Sequence, residues 1–141
     1  MNPKRLLLAI VAVFAALFAT DFLIHGLWME PVYKATIHLW RPDEEMQSHM
    51  GWLCAGQLLA TVTFVLIWAK GFAATGCRQC AIIYGLCMGL FSQANTLISY
   101  AVQPLTTEIV WKWMLGGTLQ GIVLGLVVSF VYKPAATGAA Q

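Results

Sequence analysis

Residues 6–28 read LLLAIVAVFAALFATDFLIHGLW. The run from Leu6 to Trp28 holds one carboxylate and one imidazole in an otherwise uncharged stretch. It is long enough to cross a bilayer, which takes about 20 mostly apolar residues. Lys4 and Arg5 before it, and Ala19-Thr20-Asp21 within it, also resemble a cleavable signal. The apolar pattern continues past Asp21 through Phe22, Leu23, Ile24, Leu27 and Trp28, so the run reads as a retained first helix.

Three more runs of this kind follow, about Met50–Ala69, Cys80–Tyr100 and Ile109–Tyr132. Little chain is left between them, so residues 1–141 read as one domain. The expected fold is all-α, an integral membrane bundle of four helices with spans at about 6–28, 50–69, 80–100 and 109–132. Composition agrees. The chain is 60% hydrophobic and 10% charged, against roughly 25% charged in ordinary soluble domains. Mean hydropathy is +0.73. These values exclude a disordered chain and a soluble globular fold. A net charge of +2 without a basic stripe excludes a nucleic-acid partner. The four cysteines lack the spacing of a disulfide framework.

Orientation is read from Lys and Arg. Lys4, Arg5, Lys70, Arg78 and Lys133 fall on one side, and Lys34, Arg41 and Lys112 on the other. This places both termini in the cytoplasm. Glu30, Asp43, Glu44, Glu45 and Glu108 lie on the outer side, as do Trp28, Trp40, Trp52, Trp111 and Trp113. Glu30-Pro31 stops the first helix, and Arg41-Pro42-Asp43-Glu44-Glu45 reads as the start of the second, above the membrane. Met29 to Arg41 is apolar enough to lie in the outer interface. Thr106 or Thr107 should cap the last helix, and Ala135 to Gln141 reads as a small-residue coil.

Each span carries a polar residue that hydrocarbon disfavours: Asp21 and His25, Gln57, Gln93 and Asn95, and Gln120. A charge near mid-bilayer costs at least about 2.5 kcal/mol. Asp21 should therefore face the interior, find a partner or carry a proton. Asp21 and His25 are four apart and share a helix face. Asp21, His25, Gln57, Asn95 and Gln120 are the candidate small-molecule or ion site. The structural reading of the same residues is that they only hydrogen-bond one another and fix helix register. Asp21–His25 can be laid over Asn95–Ser99, and Gln57 to Lys70 over Gln120 to Lys133, as a weak parallel repeat that chance matches equally well.

Glu45 and His49 form a second acid–imidazole pair at i, i+4, and antiparallel neighbours would bring His49 to the depth of His25. Glu45, His49 and His25 are the candidate ligands for Zn²⁺ or Cu²⁺, with no recognised zinc signature behind them. Otherwise no cofactor is expected. Cys77-x-x-Cys80 with Arg78 keeps a thiol redox role in view, beside the plainer reading of packing thiols. No phosphate loop, nucleophile elbow or haem attachment motif occurs, so an enzyme is not expected.

Gly85 and Gly89, then Gly117, Gly121 and Gly125, form GxxxG steps, and Gly56 with Ala60 a looser one. They would serve packing within the chain or against a second copy. The stretch DFLIHGLWMEPVYK from Asp21, with Leu39-Trp40-Arg41-Pro42, resembles the first helix and outer loop of small bacterial four-helix membrane proteins of unknown function. The resemblance implies this architecture and a bacterial inner membrane, and no activity. The leading expectation is a non-enzymatic accessory or structural subunit, a homo-oligomer or part of a larger complex in the bilayer. The alternatives are a small-molecule or ion binder or transporter, and a metal or thiol redox protein.

Overall fold

The computed structural model describes residues 2–133; the tail from Ala135 lies outside them. Among the described residues every regular element is helical. Helix α1 spans Pro3–Asp21 and runs on as a π-helix over Phe22–Trp28. A short α2 covers Glu30–Ala35. Helix α3 spans Asp43–Ile67 and continues as a π-helix to Phe72. Helices α4, Arg78–Val102, and α5, Thr107–Val131, complete the fold. Four helices, Pro3–Trp28, Asp43–Phe72, Arg78–Val102 and Thr107–Val131, are long and apolar enough to cross a membrane. The fold therefore defines a multi-pass membrane protein.

Local chemistry explains the helix ends. The Asn2 side chain accepts from the amides of Lys4 and Arg5, with Pro3 in the first turn. Pro42 precedes α3, and Asp43, Glu44 and Glu45 fill its positive first turn. Cys77 caps α4 through its sulfur, which accepts from the Cys80 amide at 3.3 Å. Thr106, not Thr107, caps α5. Gly76 takes a left-handed φ of 59° between α3 and α4, a conformation other residues resist.

Helices α4 and α5 make the most extensive contact, and α1 packs against both α5 and α3. The α4–α5 contact is backbone on backbone. A Cβ at Gly85 would stand 2.3 Å from the Gly121 carbonyl oxygen, and one at Gly125 2.4 Å from that of Ala81. The glycine steps of α4 and α5 thus serve packing within the chain. Gly56 differs: nothing lies within 4 Å of where its Cβ would stand.

Two apolar cores result. One gathers Ala9, Val13, Phe64, Val65, Trp68, Tyr84, Leu124 and Val128 towards the end where Arg5 meets Lys133. The other joins Met29 and Val32 to Ile109, with Tyr33, Trp40 and Trp113 against them, at the opposite end. The segment between α1 and α3 therefore folds over that end as a cap. Along α1, α3 and α5 the polar residues Asp21, Gln57 and Gln120 fall between, or at the edge of, these cores.

Candidate functional site

Asp21, at the last turn of α1, receives one donor from each of two other helices. Gln120 on α5 donates through Nε2 to Oδ1 at 2.6 Å, and Gln57 on α3 donates to Oδ2. The Gln120 amide also reaches Thr20 Oγ1 at 2.8 Å, and that hydroxyl donates to the Ala16 carbonyl at 2.8 Å. Three helices are thus pinned on one carboxylate. Hydrogen bonds to a charged acceptor are stronger than neutral ones, which suits a group that the bilayer interior would otherwise reject.

Beyond Asp21 the chain widens into the π-helix, closed by the Met29 amide donating to the Ile24 carbonyl at 2.8 Å. Such turns recur at functional sites. His25 sits in this segment and turns to the cap. Its Nδ1 lies 2.6 Å from the Tyr33 hydroxyl, and Trp113 Nε1 donates to the same hydroxyl at 2.8 Å. The Tyr33 oxygen accepts from Trp113 and is hydrogen-bonded to His25 Nδ1, the donor of that second bond being set by the imidazole tautomer. Burial holds the Tyr33 hydroxyl above its ordinary range; the negative charge of Asp21 adds to this, and the Trp113 hydrogen bond opposes it. Tyr33 therefore keeps its proton at neutral pH. The ring of Trp40 packs on Tyr33 at 5.2 Å between centroids and on Trp113 at 6.0 Å, so the imidazole is seated in an aromatic frame.

His25 lines two cavities. The first, about 210 Å³, lies between α1, α4 and α5, with Gln93, Thr96, Trp113 and Gln120 in its wall. Thr96 donates to Gln93 Oε1 at 2.7 Å, which fixes the amide, and Gln93 Nε2 reaches only the Ser92 hydroxyl, at 3.3 Å. The second, about 480 Å³, opens at the cap between His25, Glu30, Lys34, Arg41 and Asp43.

The candidate residues divide accordingly. Asp21, Gln57 and Gln120 form one hydrogen-bonded cluster, and His25 stands beside it at the cavity wall. Asn95 is not brought in: it is exposed on α4, and Gln93 and Thr96 take the interior positions. The packing phase of α4 decides this, because Gly85 and Gly89 turn one face to α5. Gln93 was visible as a polar residue within a span, but Thr96, Tyr33 and Trp113 were missed as site residues. Thr96 lies seven residues beyond Gly89, on the same glycine face, and that spacing was the available signal. Tyr33 and Trp113, 80 residues apart, carried none.

The proposed metal ligands are not assembled. His49 Nδ1 stands 2.8 Å from the backbone carbonyl of Glu45, whose side chain pairs with Arg41, while His25 turns to Tyr33. Among the described residues no three His, Cys, Asp or Glu side chains are grouped to hold a metal ion. At the other end Cys77 is the helix cap already described. Hydrogen bonds from the Cys80 side chain and then its backbone hold the Cys77 thiol below the usual range. Comparison with protein-family models, curated proteins and solved structures returns no match for this chain.

Proposed function

We propose that this protein binds a small neutral molecule between its helices, at the cavity walled by His25, Gln93, Thr96, Trp113 and Gln120. The observation that carries the reading is the cavity itself. About 210 Å³ of space at the polar level of the bundle is lined by hydrogen-bonding side chains instead of being packed shut. Ligand sites combine apolar surface with a few convergent polar groups; this half-open cleft sets Ile24 and Trp113 beside the polar side chains. Among the described residues no Lys, Arg, Asp or Glu lines it, which favours an uncharged guest. Asp21 already has two amide donors, so it supports the wall through Gln120 and leaves the guest to the amides, the hydroxyl and the imidazole.

In this reading both termini are cytoplasmic and the cap faces the outer side of a bacterial inner membrane. Lys4, Arg5, Lys70, Arg78 and Lys133 at one end, against Lys34, Arg41 and Lys112 at the other, support the orientation. The resemblance of the first hairpin supports the compartment.

The test uses the full chain in lipid nanodiscs and 4-hydroxy-TEMPO, a neutral hydrogen-bonding nitroxide. Electron paramagnetic resonance should show a saturable immobilised component that Gln93→Leu weakens by about tenfold, the worth of a lost hydrogen bond. No saturable component, or one that Gln93→Leu leaves unchanged, overturns the reading.

A further inference from the structure

The polar cavity has an apolar neighbour. Helix α3 and its π-helical continuation reach α4 chiefly at the end where Arg5 meets Lys133; there Phe64, Trp68 and Phe72 surround Tyr84 at 4.7 to 5.4 Å between centroids. Beyond this aromatic closure the seam between α3 and α4 stands open over a groove of about 430 Å³. Leu59, Met88, Phe91 and Leu124 make it apolar.

Two observations separate this groove from ordinary lipid-facing surface. Thr61 lines it, is 2% exposed, and has a hydroxyl with no hydrogen-bond partner. Buried hydroxyls are nearly always paired, because an unpaired one costs about 1–3 kcal/mol. The groove also shares Gly117 and Gln120 with the polar cavity, so the two spaces adjoin. Among the described residues neither is lined by Lys, Arg, Asp or Glu. On the α3 rim, Gly56 is exposed, and nothing lies within 4 Å of where its Cβ would stand.

We infer that the ligand is a neutral amphiphile that enters sideways from the bilayer, its hydrogen-bonding head in the polar cavity and its apolar chain in the α3–α4 groove. The inference rests on the binding reading above and adds the ligand's class and route. A chain oxygen, as in an ester or ether, pairs with the Thr61 hydroxyl once that side chain rotates towards the groove, since the hydroxyl is sealed in the unliganded chain. A bulk lipid chain gains little from an apolar groove, because lipid and protein are equally apolar there. Retention therefore comes from the polar contacts at Thr61 and in the head cavity, and the groove selects for shape.

The experiment compares 4-hydroxy-TEMPO with its dodecanoate ester, each against wild type, so that partition into the bilayer cancels. Gly56→Phe should set a ring over the groove and weaken the ester by about tenfold while leaving the alcohol within about twofold. Thr61→Val keeps the shape and should also weaken the ester selectively. Thermal unfolding of each variant without probe controls for folding. If the alcohol binds but neither substitution affects the ester, the inference falls and the polar site stands. If neither probe binds, both fall. If probe-free protein crosslinks through Cys87, which is exposed on α4, and Gly56→Phe abolishes the crosslink without changing ester affinity, a second copy fills the groove and the inference is overturned.

Discussion

The Gln120 amide nitrogen lies 2.6 Å from Oδ1 of Asp21, joining the last spanning helix to the first across 99 residues. Gln120→Leu removes that donor and leaves a carboxylate oxygen facing an apolar interior. The expected loss is about 1–3 kcal/mol, measured by denaturant-induced unfolding in bilayer mimics. In a double-mutant cycle with Asp21→Leu, the second substitution should cost less than it does alone, because the charge it would strand has gone. Strict additivity would mean that the pair is not coupled.

Glycine substitutions should separate the two faces. Gly85→Ala sets a methyl against backbone, with the Gly121 carbonyl oxygen 2.3 Å away, and must push α4 off α5. It should cost about 1–3 kcal/mol as an overpacking change. Gly56→Ala meets nothing within 4 Å and adds helix propensity, so it should be neutral or stabilising. Thermal unfolding of the two variants side by side is sufficient.

Tyr33 makes a pH prediction. Its hydroxyl is held above the ordinary tyrosine range, first by burial. A group whose folded value is raised contributes stability that is complete below its unfolded value and fades as pH rises through the folded one. Stability should therefore be flat through neutral pH and fall in the alkaline range. Ultraviolet titration should place the Tyr33 phenolate above a free tyrosine, and Trp113→Phe should move it further up by removing a lowering hydrogen bond.

Cys77 should react with iodoacetamide at lower pH than an ordinary thiol, because its thiol is held down chiefly by Cys80. Cys80→Ala should return the rate profile towards the usual range. A profile unmoved by that change would show that the Cys80 side chain is not the cause.

Asn95→Leu should alter stability by no more than about 0.5 kcal/mol, since the side chain is exposed. Gln93→Leu should cost more, because Thr96 donates to its carbonyl oxygen at 2.7 Å. The contrast between these two neighbours marks how much the sequence could tell. Hydropathy located the four spans, because crossing a bilayer demands a long apolar run whatever the run packs against. It also flagged Asp21, Gln57 and Gln120, since a polar group in a span needs a partner. Which way a polar residue points depends on the rotation of its helix, and neighbours set that rotation. Asn95 lies six residues past Gly89, about 240° around the helix from the face that meets α5. The π-helical turn after Asp21 and the meeting of Tyr33 with Trp113 depend on tertiary packing and leave no local pattern.

The pinning of three helices on Asp21 also bears on the order of synthesis. Ribosomes deliver α1 first, then α3, and α5 last. The carboxylate is made with neither of its amide donors, gains Gln57 with the second span, and waits for Gln120 until the fourth span is made. The first of the four spans therefore reaches its final environment only when the fourth is inserted, and a truncated product lacking α5 carries a carboxylate short of one donor.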